Sequence, residues 1–330
     1  MRSPKSRAPD KASEGRVLSM TTLELRRDHL RSDELRALLA AFLVEAPIGG
    51  RIPTVRDLGA HFGASIGAVQ QSLARLVEAG AIRVDSRRGQ GTILSGRSLG
   101  ALWSAARNEP LIVALPLPMT RQIQGLATGI KAALAETGIE TYLTFSRGSR
   151  RRLHALEDGR CHAVVMSMLG AAEACGPRDE IALTLPPGTH ASGHIVFERA
   201  RTEESDRSLR VGLDRDSVDL QLMTELEFRG RPVEFVPATY MQFGELFRSG
   251  RVDAAVWDVD DVTGDLPGDV VRRPFSPGAQ ALLAQANTRS AIVVRRDDSL
   301  TAAIILQCLA GDRVLEVQRS VVGGERLPEY

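Results

Sequence analysis

Hydrophobic and polar positions divide the chain into two textures. Between 31 and 46 the apolar residues Leu35, Leu38, Leu39, Phe42 and Leu43 recur at helical spacing. Ser32 or Asp33 serves as cap, and Pro47 with Gly49 and Gly50 as the stop, which predicts a first helix. A second helix opens at Thr54, with Asp57 three residues on as its capping partner and Val55, Leu58 and Phe62 on its buried side. Gly63 and Ala64 form the turn, since glycine admits a positive φ without steric cost. Ser65 then caps a third helix, in which Ile66, Val69, Leu73, Leu76 and Val77 are expected to face the core. Gly67, Ala68, Gln70, Gln71, Ala74 and Arg75 are left facing outward. Short strands at 81–84 and 92–94 flank a basic tip at 85–91 that carries Arg87 and Arg88. Helix, turn, helix and two-stranded wing is the pattern of a DNA-reading winged helix.

From 110 the texture becomes alternating strands and helices. Strands are predicted at 111–115, 141–145 and 163–167, with helices at 120–136 and 149–158, a run that implies one parallel sheet covered on both faces. After the break at Pro186, Pro187 and Gly188, strands at 195–198, 209–213, 233–236 and 254–257 alternate with helices at 217–228 and 240–248. A return strand at 291–295 leads into a helix at 299–309. The expected organisation is a disordered basic arm at 1–20, a winged helix-turn-helix domain at 21–96, a linker helix at 97–109 and a bilobal ligand-binding α/β domain at 110–330. Lobe I takes 110–190 and 290–330, lobe II 191–289, with the ligand in the cleft between them. Leu18, Leu23, Leu25 and Leu30, upstream of the first helix, suit either a dimer-contact helix or core packing.

Charge sharpens this division. The formal net charge of +1 hides an excess of +6 over residues 1–109 and of −5 over 110–330, so only the first part suits a polyanion. With 43% apolar and 25% charged residues in 330, the chain has room for two or three ordinary cores. It has no run of 18 apolar residues, and its polar N-terminus lacks a hydrophobic segment, so neither a membrane nor a secretory route is expected and a cytoplasmic place is. Cys161, Cys175 and Cys308 show no metal-ligand spacing and read as free thiols.

Residues 51–58, 65–73, Leu76, 78–82 and 89–92 together resemble the winged-helix domain of GntR-type bacterial transcription regulators. Ile66 and Gln70 stand where such families often carry arginine. The segments 147–149, 159–160, 163–167 with Ala171 and Ala172, and 250–254 resemble the type 2 periplasmic-binding-protein fold used by LysR-type regulators. Joined to a GntR-like head, the chain looks most like the YhfZ family of predicted regulators.

The residues expected at DNA are Arg51, Arg56, Ser65, Gln70, Gln71, Arg75, Arg87 and Arg88. Ser65 and Arg56 would hold phosphates, while Gln70, Gln71 and Arg75 would face bases and the wing arginines track the backbone or minor groove. Those expected at the ligand are Pro118, Thr120, Arg147, Gly148, Ser149, Ser167, Asp214, Ser217, Tyr240 and Trp257, all at strand ends or helix starts. Arg147 would give a bidentate contact to an anionic group, whereas Arg150, Arg151 and Arg152 are expected at the surface. Asp214, Asp216 and Ser217 suit helix capping as well as the cleft. Asp258, Asp260, Asp261, Asp265 and Asp269 lack the order of a calcium loop, and His190 and His194 are not expected to converge on a metal.

The match of 96–100 to the nucleophile pattern G-x-S-x-G uses a strand already claimed by the wing, so no enzyme and no cofactor are expected. The expectation is a ligand-responsive transcription regulator that binds a double-stranded operator as a homodimer, with an unidentified small effector. Two alternatives stand beside it: an α/β enzyme with an autoregulatory DNA-binding head, and a protein-binding scaffold.

Overall fold

The computed structural model describes residues 31–87, 91–200, 208–260, 266–283 and 286–330, with only the backbone of Arg87 and Leu282. The expected basic arm, the leucines upstream of residue 31, Arg88, Asp261 and Asp265 lie outside the described residues.

The head comprises α1 (Ser32–Glu45), β1 (Arg51–Ile52), α2 (Val55–Phe62), α3 (Ile66–Glu78), β2 (Ile82–Arg87) and β3 (Gly91–Arg97). Its helix starts follow the local chemistry. Thr54 Oγ1 accepts from the Asp57 amide at 3.2 Å while the Asp57 carboxylate accepts from the Thr54 amide at 3.2 Å. Gly63 ends α2 with φ at 64°, and Ser65 Oγ accepts from the Ala68 amide at 3.2 Å to start α3. The wing departs from expectation in two ways. Its strands are longer, and β1 joins them, Arg51 opposite Ile93, in a three-stranded sheet of order β1-β3-β2.

The core stripe of α3 also needs correcting. Val69, Ser72 and Leu76 are buried, whereas Ile66 and Val77 are 45% and 43% exposed. At about 100° per residue, Ile66 and Val77 lie roughly 90° or more from the centre of the buried stripe, so they rotate outward.

Helix α4 (Leu99–Arg107) follows β3 directly. Ser98 Oγ caps it by accepting from the Ala101 amide at 3.3 Å, and a β-carbon on Gly100 would lie 2.5 Å from the Gly138 carbonyl oxygen. The serine and second glycine of the G-x-S-x-G match therefore serve a helix start and a close approach of two segments.

Lobe I begins with β4 (Leu111–Leu115), α5 (Arg121–Ala135), β5 (Thr141–Phe145), α6 (Ser149–Glu157), β6 (Ala163–Ser167), α7 (Met168–Ala174) and β7 (Asp179–Thr184). Lobe II follows with β8 (His194–Arg199), β9 (Leu209–Leu213), α8 (Val218–Glu227), β10 (Val233–Pro237), a 3-10 turn at Tyr240–Gln242, α9 (Phe243–Arg248), β11 (Ala254–Asp258), β12 (Val270–Arg273) and α10 (Pro277–Leu283). The chain returns to lobe I as β13 (Ser290–Arg295), α11 (Ser299–Leu309) and α12 (Arg313–Val322).

Neither sheet is all parallel, which corrects the simple β-α-β reading. The lobe I order is β5-β4-β6-β13-β7 and the lobe II order β10-β9-β11-β8-β12. In each, the fourth strand has just crossed from the other lobe and runs antiparallel to both neighbours. The same order in both sheets, with two crossings between them, is the bilobal periplasmic-binding-protein-like architecture. Strands β7 and β12 and helices α7, α10 and α12 fall outside the expected elements, because their apolar runs are short or interrupted by charge.

The expected linker helix is packed in rather than free. Leu102 and Trp103 of α4 are fully buried, and they join Leu35, Leu39 and Leu43 of α1, Leu300, Ile304 and Ile305 of α11, and β4 in one hydrophobic core. Trp103 Nε1 donates to the Glu109 carbonyl at 2.6 Å, and its ring meets His162 edge-on at 5.2 Å. Head and lobe I thus share a continuous interior. No helix among the described residues is long and apolar enough to cross a membrane.

Candidate functional site

Two surfaces carry chemistry. On the head, Gln70, Gln71, Ala74 and Arg75 are exposed along one side of α3, with Gly67 and Ile66 at its leading end. Their spacing puts amides and a guanidinium on one helical face whose small neighbours allow close approach. Ser65 is exposed at the tip, where its hydroxyl accepts the capping bond and keeps a proton to donate. Arg56 is exposed on α2. Arg51 lies across the wing base: a β-carbon on Gly91 would meet its Nε at 2.6 Å, so the glycine makes room for that guanidinium. Arg87 ends β2 opposite Gly91, with its side chain outside the description.

The second surface is a cavity of about 110 Å³ between the lobes. Lobe I contributes Pro116, Leu117, Thr120, Ile123, Gly148, Ser149 and Arg152, and lobe II contributes Ser217, Asp219, Leu220, Tyr240, Trp257 and Asp258. His190 and His194 lie where the chain first crosses. Helix starts dominate the wall: Thr120 caps α5, Ser149 opens α6, and Ser217 precedes α8.

Thr120, Gly148, Ser149, Ser217, Tyr240 and Trp257 of the expected ligand set line this cavity. The other four are engaged elsewhere. The carbonyl of Pro118 accepts from Gln124 at 3.0 Å. Ser167 Oγ accepts from the Gly170 amide and donates across the lobes to Asp219 Oδ2 at 2.7 Å. Arg147 is placed as an interlobe tie: Nη1 contacts both Asp214 oxygens at 3.2 and 3.0 Å, and Nη2 pairs with Asp216. Asp214 also accepts from the amides of Asp216 and Tyr240, so it organises the lobe II loops instead of facing a ligand.

Arg152 overturns the surface expectation. Only 4% exposed, it donates from Nε to the Val165 carbonyl at 3.1 Å and from Nη1 to the Ser146 carbonyl at 2.7 Å. Its place was legible, because Ser149, Arg152, Leu153 and Leu156 form the buried i, i+3, i+4, i+7 stripe of α6. The local run of four arginines masked that period. His190 and His194 both line the cavity together with Asp219. No group of three or more metal-ligating residues exists among the described residues.

Burial sets the electrostatics. It pulls the Arg152 guanidinium down to about 10 against the raising influence of Asp219, so the charge persists at neutral pH. It pulls His190 down to about 4 against Asp219, with Arg152 and His194 adding to the fall, and it lowers His194 as well. Both imidazoles are therefore neutral at pH 7. Burial pushes Asp219 up, but His190, the Ser167 hydroxyl, His194 and the Leu220 amide outweigh it, and the carboxylate titrates below its ordinary range. The cavity sets the buried cation Arg152 on lobe I against two half-buried carboxylates on lobe II, Asp219 and Asp258.

A family profile described as "YhfZ C-terminal domain" matches residues 99–330, and one described as "Helix-turn-helix domain" matches residues 47–94. The uncharacterized protein YhfZ of Escherichia coli (strain K12) is 31% identical over 293 residues, spanning 88% of this chain and 95% of that protein. The crystal structure of YhfZ from Shigella flexneri matches with a TM-score of 0.58 at 30% identity, over 70% of this chain and 98% of that one.

Proposed function

We propose, since the chain belongs to the YhfZ family and carries a helix-turn-helix head, that it is a ligand-responsive transcription regulator. It binds operator DNA as a homodimer through GntR-like heads, in the cytoplasm, under control of a small molecule held between the lobes. The observation that carries this reading is the exposed face of α3, where Gln70, Gln71 and Arg75 stand beside small residues with Arg51 at the wing base. Gln pairs with adenine edges and Arg with guanine edges in the major groove. The wing arginines Arg87 and Arg88 follow phosphates or the minor groove.

Control follows from differential binding. A ligand touching both lobes favours the form in which they are close, and it shifts DNA affinity only as far as that form changes the separation of two heads. Couplings of about 1–3 kcal/mol are usual for such devices. The enzyme alternative is weakened by the role of Ser98 as the α4 cap.

Selection of bound fragments from a random duplex library, at two salt concentrations, tests the proposal. A recovered inverted repeat supports a dimeric, sequence-specific regulator. Recovery of no motif, with binding lost at moderate salt, leaves only electrostatic attraction and overturns it.

A further inference from the structure

Arg152 and Asp219 line the same small cavity from opposite lobes, yet no ion pair joins them. Each has spent part of its capacity on its own surroundings. Two Arg152 nitrogens hold backbone carbonyls, and Nη2 has no partner among the described residues. Asp219 accepts from the Ser167 hydroxyl and the Leu220 amide, which leaves a carboxylate with lone pairs to spare. Ser217, 7% exposed, likewise lines the cavity with a hydroxyl that has no partner among the described residues. Neutral His190 sits 4.0 Å from Asp219 and supplies no compensating charge.

Opposite charges that are buried near each other without pairing are costly unless something between them completes both. We infer that the cavity takes a small zwitterion of the amino-acid class, its carboxylate on Arg152 and Ser217 in contact with both lobes, its ammonium group on Asp219. The cavity, at about 110 Å³, is well below the ~300 Å³ of drug-sized sites, so the ligand is of the size of glycine, alanine or serine. The placement of the charges matters as much as their sign. Lobe I offers the cation and lobe II the carboxylate, so either lobe alone satisfies one pole of the ligand. Only the apposed lobes satisfy both, which makes such a ligand selective for the closed form. A simple anion would leave Asp219 uncompensated, and a simple amine would leave Arg152 so.

This inference deepens the proposed regulator and rests on that reading for its physiological role, but its test does not pass through DNA. The full chain is titrated by calorimetry and followed by thermal unfolding with glycine, L-alanine and L-serine, and with the half-molecules propionate and isopropylamine. At least one amino acid is expected to bind and raise the unfolding temperature, with each half-molecule at least 100-fold weaker. Asp219→Asn keeps the side-chain shape and is expected to weaken the amino acid at least 10-fold without weakening propionate. Should that variant fail to fold, the selectivity of the unaltered protein decides. Propionate or isopropylamine binding as well as the amino acids, or no amino acid binding the folded protein at millimolar concentration, overturns the assignment. An inverted repeat recovered without amino-acid binding would sink the ligand class and leave the regulator. Amino-acid binding without a DNA motif would do the reverse.

Discussion

Gly148 of lobe I and Asp216 of lobe II approach so closely that a β-carbon at position 148 would stand 2.7 Å from the Asp216 β-carbon. The glycine also has φ at 80°, a region that L side chains rarely enter. Around it the lobes are joined by direct bonds: the Arg150 amide donates to the Asp216 carbonyl at 3.2 Å, and the Val218 amide donates to Ser149 Oγ at 3.0 Å.

Gly148→Ala is expected to strain the start of α6 and part the lobes. Strain of this kind costs about 1–3 kcal/mol. Solution scattering should show a larger radius of gyration, and urea denaturation a lower midpoint; a variant with unchanged scattering and stability would refute the close-approach role.

Removal of the Arg147 side chain leaves Asp214, whose side chain is 2% exposed, with one charged partner fewer. Arg147→Ala should destabilise the chain by up to about 3–5 kcal/mol, the range for breaking a buried pair from one side. Lysine cannot span two carboxylates with a planar fork, so Arg147→Lys should recover only part of that loss in chemical denaturation.

Acid should weaken the fold through its buried imidazoles. His190 titrates near 4 in the folded chain and at its ordinary value when unfolded, so the unfolded chain binds the extra proton in between. Stability from this group is full above the unfolded value and falls as pH drops from about 7 toward 4. The loss from His190 alone should reach roughly 1 kcal/mol by about pH 5.5. Denaturation midpoints measured across this range should fall less steeply in His190→Gln, and equal slopes would count against a buried neutral imidazole.

On the head, exposure separates function from stability. Arg75→Ala and Gln70→Ala should leave the unfolding temperature within the small range typical of surface changes. If Gln70 reads a base, its loss should cost about 1–3 kcal/mol of discrimination at one operator position. Arg56→Ala should weaken all sequences alike and reduce the salt slope by about one ion equivalent. Uniform weakening by Gln70→Ala would remove it from base reading.

The helical periods of the head and the apolar strands of both lobes could be read directly, because caps such as Thr54 and Ser65 and runs such as 111–115 and 163–167 act through near neighbours. What escaped depends on contacts distant in sequence. No local signal tells that β13 inserts between β6 and β7, or that β1, two residues long, completes the wing. The cleft was found at its helix starts, Thr120, Ser149 and Ser217, yet its charges were missed. Arg152 is hidden in a basic run, and Asp219 follows a helix start already supplied with two carboxylates, Asp214 and Asp216. Conversely, Arg147 carried every local mark of a ligand contact and is consumed by Asp214 and Asp216 from 67 and 69 residues away.

The interior shared by α1, α4 and α11 has a thermodynamic corollary. Each fully buried leucine or tryptophan side chain there contributes on the order of 2 kcal/mol, and those of Leu39, Leu102, Trp103 and Ile304 are contributed jointly by head and lobe I. Neither partner can melt without exposing the other's underside. The reading head and the first lobe should therefore unfold in a single transition, and excising the head at residue 98 would yield two fragments, each with an apolar wound. The head has no independent swivel on lobe I, so under the proposed regulation a movement of lobe II would reach the DNA as a movement of one solid piece.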